Sequence, residues 1–148
     1  MVNRKAKVKN IICLAGVIVV LFGLLGLIKL STPKVFEGFE ATPSNFNSKI
    51  LSGKKFVWFY ATWCGHCKSV HKSWDAAADE VNVGDKHMIK IDIGDGKNPE
   101  HQEISKKYNI KGFPTMLLLD NRKKVDEYRG NRSKTEFINY CKQNNLMI

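Results

Sequence analysis

Phe56-Val57-Trp58-Phe59-Tyr60 leads through Ala61-Thr62-Trp63 into Cys64-Gly65-His66-Cys67-Lys68. Five consecutive bulky residues, aromatic and β-branched, describe a strand buried on both faces, which needs a layer above and below it. Beyond the cysteines, Val70, Trp74, Ala77, Ala78 and Val81 recur at three- and four-residue steps, the period of one helix face. A doubly buried strand running into an amphipathic helix confines the chain to an α/β layer architecture. It also sets Cys64-Gly65-His66-Cys67 at the helix N-terminus. Unpaired backbone N–H groups and the positive end of the helix dipole favour an anion there. For a cysteine that anion is the thiolate, whose pKa falls from ~8.5 to roughly 3.5–7.5 in such surroundings.

With 148 residues the chain has room for one small domain and an appendage. Four cysteines are too few for a disulfide scaffold over that length, so their arrangement matters more than their number. The net charge of +10 invites a nucleic-acid reading, but its distribution argues against one. Arg4, Lys5, Lys7, Lys9 and Lys29 flank the first apolar segment, where no acidic residue lies; the rest of the chain carries a net charge of +5. Those remaining lysines are interspersed with acids, as on an ordinary solvated surface, and no nucleic-acid partner is expected.

Ile11 to Ile28 is an uncharged run of 18 residues, long enough at ~1.5 Å per residue to cross a hydrocarbon core of roughly 30 Å. It ends in Leu27-Ile28-Lys29-Leu30 without small residues at cleavage-site spacing, which favours an uncleaved signal anchor over a removed signal peptide. The basic residues precede it, so the N-terminus is expected in the cytoplasm and residues 30–148 across the membrane. The expected organisation is a basic tail (1–10), a transmembrane helix (11–30), a linker (31–43) and a folded domain (44–148). An exported domain meets an oxidising compartment, where disulfides persist.

The linker holds Pro33 and Pro43 and a short edge strand near Val35–Phe39. Ser44 is the expected N-cap of a brief helix through Ile50-Leu51, with Phe46 and Ile50 inward. The central strand, Phe56–Tyr60, and the long helix follow. Met88–Ile93 alternates as a strand. Asn98-Pro99 opens a helix, with proline at its first position and Ile104 and Tyr108 inward. Met116–Leu119 and Val125–Tyr128 are strands joined by a turn at Asp120-Asn121-Arg122-Lys123. Ser133 and Glu136 have capping-box spacing for a last helix whose apolar face is Phe137, Tyr140 and Cys141. The order is β-α-β-α-β-α-β-β-α, a parallel half followed by an antiparallel hairpin.

A bare C-x-x-C is compatible with a structural disulfide, half a zinc site or a redox dithiol. Zinc takes four ligands and only His66, His71 and the distant Cys141 remain, so no metal is expected. Covalent haem needs histidine directly after the second cysteine, where Lys68 stands. In this strand–helix context the motif reads as redox-active.

The chain resembles the thioredoxin superfamily, and within it the catalytic domains of protein disulfide isomerases. The likeness rests on Phe59-Tyr60-Ala61-Thr62-Trp63-Cys64-Gly65-His66-Cys67-Lys68, on Lys106-Lys107-Tyr108-Asn109-Ile110-Lys111-Gly112-Phe113-Pro114-Thr115 and on Tyr128-Arg129-Gly130-Asn131-Arg132, over residues 35 to 145. It implies a thioredoxin fold, a central mixed sheet flanked by helices. Cys64 opens the helix and is the expected nucleophile, with Cys67 one turn inward to resolve the mixed disulfide. The resemblance makes Gly65 and His66 tuning residues, Pro114 a cis-proline that with Trp63 and Phe113 holds an extended substrate, and Arg132 a modulator of the inner cysteine. No cofactor is implied, since the dithiol itself carries the electrons.

Two positions depart from the pattern. Six residues before the first active cysteine the family keeps a buried carboxylate that moves protons to and from the inner cysteine, and Trp58 stands there. Lys90 matches the lysine that pairs with that acid and is therefore expected to lack its partner, to reach water or titrate low, and as a neutral amine to be the replacement base. Lys72 replaces a helix-kinking proline, so a straighter helix is expected. Cys141 is expected as a core thiol, Cys13 lies in the membrane segment, and Asn131-Arg132-Ser133 fits the N-glycosylation pattern. His71, His87 and His101 show no ligand spacing.

The expected protein is a membrane-anchored thiol–disulfide oxidoreductase acting on cysteine-containing exported proteins. Its expected site is the endoplasmic reticulum lumen first, with a periplasm or viral envelope as other hosts of this topology. The alternative is an anchored binding or chaperone module with little turnover, which the Trp58 substitution keeps open.

Overall fold

The computed structural model describes residues 40–147. The segments 1–10 and 11–30, with Cys13, lie outside the described residues. Among the described residues no helix is long and apolar enough to cross a membrane.

In chain order the elements are β1 (Glu40–Ala41), α1 (Pro43–Lys49), β2 (Lys54–Tyr60), α2 (Gly65–Val81), β3 (Met88–Asp92), α3 (Pro99–Tyr108), β4 (Thr115–Asp120), β5 (Lys123–Glu127) and α4 (Lys134–Gln143). The sheet runs β1-β3-β2-β4-β5, with β2 parallel to β3 and antiparallel to β4. The doubly apolar β2 lies at its centre. Period-two alternation divides the strand between two cores. Phe56, Trp58 and Tyr60 join Met88, Met116 and Leu118 beneath α2 and α4, while Val57 and Phe59 join Ile89, Ile91, Leu117 and Leu119 beneath α1 and α3. Each fully buried large side chain contributes about 1.5–3 kcal/mol of transfer free energy. The two cores carry the three-layer fold.

The expected element order holds, with shifts at the ends. Glu40–Ala41 pairs with Lys90 and Ile91 at the sheet edge, inside the stretch expected as linker; the strand expected near Val35–Phe39 lies outside the described residues. Thr42, not Ser44, caps α1. Pro43 takes the first helical position, and the Asn45 side chain accepts a hydrogen bond from the Thr42 backbone N–H at 2.9 Å. Leu51 falls outside that helix and is exposed, whereas Phe46 and Ile50 are buried. In the β4–β5 hairpin Asn121 and Arg122 both have positive φ, 46° and 67°. That geometry suits the right-handed strand twist. Asn98 caps α3 by accepting from the Glu100 N–H, and Ser133 caps α4 by accepting from the Glu136 N–H. Helix α2 runs unbroken through Lys72. Cys141 is fully buried against the α2 face, as expected of a core thiol.

Candidate active site

The dithiol occupies the β2–α2 junction. Cys64 is the N-cap of α2, with extended backbone angles, and its carbonyl accepts from the Cys67 and Lys68 N–H groups at 3.1 and 3.2 Å. Cys67 lies one turn in and is fully buried, while Cys64 keeps 7% of its surface open. The two thiols differ because their surroundings differ. A hydrogen bond from the Cys67 thiol, then the backbone N–H groups of Cys67 and His66 and the Arg132 charge, outweigh burial and lower the Cys64 pKa. Burial pushes the Cys67 thiol up to about 12, with the neighbouring Cys64 adding to the rise and Arg132 opposing it. Thiolate formation is therefore eased at Cys64, while Cys67 holds its proton.

The Phe113–Pro114 peptide is cis, and the Phe113 carbonyl accepts a hydrogen bond from Cys64 Sγ at 3.6 Å. Trp63 is two-thirds exposed beside it. Its indole N–H donates to the Gly94 carbonyl at 2.9 Å, and its ring stands edge-on to Phe113 at 6.0 Å. A Cβ at Gly94 would lie 2.4 Å from the Ala61 Cβ and 2.9 Å from the Trp63 Nε1. Only glycine allows this close approach. Trp63, Cys64, His66, Ile93, Lys111 and Phe113 wall a groove of about 590 Å³. A second, polar groove of about 400 Å³ opens past Pro114 along Tyr108, Lys124, Glu127 and Arg129, sharing Lys111 and Phe113 with the first. Gly65 and His66 are exposed on the first turn of α2, and the exposed Arg132 is close enough to favour the thiolate at both cysteines.

Lys90 departs from the expectation drawn from the sequence. It is not unpaired: its Nζ lies 2.7 Å from Asp75 Oδ1, with side-chain exposures of 11% and 36%. Asp75 sits two turns beyond Cys67 on α2 and supplies the counter-charge that position 58 does not. An ammonium so paired is no free base, so the role of neutral amine is withdrawn from Lys90. Trp58 is fully buried and packs on Tyr60 (4.9 Å), Trp74 (5.4 Å) and His71 (4.7 Å). The sequence reading passed over Asp75 and Gly94 and weighed His71 only as a metal ligand. The four-residue steps 67, 71, 75 on one helix were the available signal for His71 and Asp75. Gly94 had none, because its neighbour Ala61 lies on another element. Among the described residues no group of three or more His, Cys, Asp or Glu could hold a metal.

A five-stranded mixed sheet in this order, with a dithiol at the central strand–helix junction facing a cis-proline loop, defines a thioredoxin-fold thiol–disulfide site. The chain belongs to the thioredoxin family: the family model described as Thioredoxin matches residues 37–143. It is 32% identical to the Drosophila melanogaster "Thioredoxin domain-containing protein 5 homolog" over 78% of this chain and 26% of that protein. It is 34% identical to mouse "Protein disulfide-isomerase A6" over 67% of this chain and 22% of that one. Human ERp44 superposes with a TM-score of 0.61 at 25% identity, covering 72% of this chain and 30% of the other. The chain spans about a quarter of the length of the curated relatives it matches.

Proposed function

We propose that the protein is a thiol–disulfide oxidoreductase that forms, reduces or isomerises disulfides in exported proteins. Cys64 is its nucleophile and Cys67 its resolving thiol. The observation that carries this reading is the asymmetry of the pair, a lowered pKa at the more open Cys64 beside a raised one at buried Cys67. The Cys64 thiolate attacks one sulfur of a substrate disulfide, the other substrate sulfur leaves as thiolate, and Cys67 then displaces the bound sulfur to close Cys64–Cys67. Trp63, Phe113 and Pro114 hold the extended substrate along the groove, Gly65, His66 and Arg132 tune the couple, and Lys90 contributes through its ion pair with Asp75. No metal or nucleotide takes part. Residues 11–30 anchor the chain with its N-terminus in the cytoplasm, and residues 44–148 work in an extracytosolic lumen, the endoplasmic reticulum first. The basic-before-apolar order of residues 1–28 supports that topology. The relatives named disulfide isomerases support the chemistry.

Trapping tests it. Cys67→Ala in the native membrane is expected to accumulate mixed disulfides between Cys64 and client proteins, all released by reductant. A Cys67→Ala chain that collects no adducts points instead to an anchored binding module with little turnover, the reading that Trp58 keeps open.

A further inference from the structure

The β2 position where the family keeps its proton-carrying carboxylate holds Trp58, and an indole offers neither an acidic proton nor a lone pair to accept one. Its buried Nε1 has no hydrogen-bond partner among the described residues. Yet Cys67 is fully buried and must lose its proton before it can attack. A titratable side chain has to stand within reach of it.

His71 meets that need. It follows Cys67 by four residues on α2, and side chains so spaced are neighbours, about 5–6 Å apart at Cβ. Two aromatic faces fix its half-buried ring: Trp58 edge-on at 4.7 Å and 63°, and Tyr60 edge-on at 5.0 Å and 85°. The indole that removed the carboxylate is thus the wall that seats the imidazole. One turn further along, Asp75 is taken by Lys90 at 2.7 Å, and Tyr60 donates its hydroxyl proton to Glu40. The neighbouring carboxylates are engaged elsewhere. We propose that His71 carries the proton to and from Cys67, in place of the carboxylate that Trp58 displaced; this rests on the dithiol reading above.

In reductive turnover Cys64 is first joined to a substrate sulfur. Neutral His71 takes the Cys67 proton through one water, and the Cys67 thiolate attacks Cys64 Sγ. The Cys64–Cys67 bond forms, the bond from Cys64 to substrate breaks, and its electron pair leaves on the substrate sulfur. The dithiol is oxidised and the substrate reduced, and the imidazolium proton passes to the departing thiolate or to water. Oxidation of a substrate runs these steps backwards. The groups that face His71 are Asp75 on α2, Lys90 and Asp92 on β3, Glu40 on β1 and Tyr60 on β2. Burial and Lys90 disfavour the imidazolium, the three carboxylates favour it, and the balance lowers the pKa from its ordinary value near 6.5. The ring is therefore neutral, and able to accept, at pH 7.

The test uses the reduced full-length chain, in excess over a chromogenic aromatic disulfide, mixed by stopped flow. Two phases of thiolate release are expected, the first from attack by Cys64 and the second, absent in Cys67→Ala, from resolution by Cys67. In the parent the second phase should rise with pH to an inflection below ~6.5 and then level off. His71→Asn should slow it roughly tenfold or more at neutral pH and erase the inflection, leaving the first phase unchanged. Added imidazole should restore the rate in His71→Ala. An unchanged second phase in His71→Asn, or slowing without imidazole rescue, overturns the proposal. So does a parent profile that climbs without levelling through about pH 9, a measurement that requires no variant. Loss of the first phase in the parent would instead overturn the dithiol reading.

Discussion

Removing the Asp75 carboxylate should cost far more stability than removing the charge it pairs with. In Asp75→Ala the Lys90 ammonium loses a partner at 2.7 Å while only 11% of its side chain reaches solvent. Exposed ion pairs are worth about 0–1 kcal/mol, whereas breaking a buried pair by deleting one partner costs about 3–5 kcal/mol. Asp75 is 36% exposed, so solvent screening brings the expected loss down to about 1–3 kcal/mol. At ~4 °C per kcal/mol for a domain near 100 residues, Tm falls by about 4–12 °C. Lys90→Met keeps an apolar stem in place of the lysine chain and leaves a carboxylate that still meets water, so its cost should stay under about 1 kcal/mol. The double variant should resemble Lys90→Met alone, so the coupling equals the Asp75→Ala loss, about 1–3 kcal/mol. Urea unfolding of the four reduced proteins, followed by far-UV circular dichroism, closes the cycle. An Asp75→Ala protein within about 0.5 kcal/mol of the parent, with no coupling to Lys90, would show that the ammonium is adequately solvated without its partner.

Gly94→Ala should lose about 1–3 kcal/mol from overpacking against Ala61. It should also release Trp63 from its bond to the Gly94 carbonyl, and Trp63 fluorescence reports whether the ring moves. The two thiols make opposite predictions with pH. Cys64, whose pKa is lowered, should alkylate with a midpoint below the ordinary value of ~8.5, and Cys67 should resist until far above it. In stability the signs follow from proton uptake. Folded Cys67 holds a proton that the unfolded chain releases near ~8.5, so its contribution is full below that pH and declines as pH rises towards about 12. Cys141, also pushed up to about 12 by burial, adds a loss in the same window. The lowered Cys64 contributes stability above ~8.5 that is lost as pH falls through its folded pKa. Urea midpoints of the reduced parent and Cys67→Ala between about pH 8 and 10.5 should diverge, the parent falling faster; parallel curves would refute the assignment of a raised pKa to Cys67.

Much of the site could be read locally. The buried run Phe56–Tyr60 and the apolar steps from Val70 to Val81 set strand and helix, and with them the place of Cys64 at the α2 cap. Asn98-Pro99 and Ser133 with Glu136 marked helix starts because capping is a matter of neighbours in sequence. Glu40–Ala41 is strand because it finds the edge of β3, a tertiary contact. The cap of α1 at Thr42 is by contrast local, with Pro43 at the first helical position and Asn45 accepting from the Thr42 N–H.

The sequence by itself determined the dithiol, its position at a helix N-terminus and an indole in place of any carboxylate at Trp58, since each is a residue type at a fixed local spacing. Which groups surround Trp58 and Lys90 was decided only by the tertiary structure. Asp75 and Lys90 are fifteen residues apart, and a helix packing across a sheet brings them to 2.7 Å. The seat of His71 between Trp58 and Tyr60 arises in the same way. Spacing along a chain reports which side chains share an element. Charge compensation and proton transfer depend on distances between elements, and those exist only once the layers have packed.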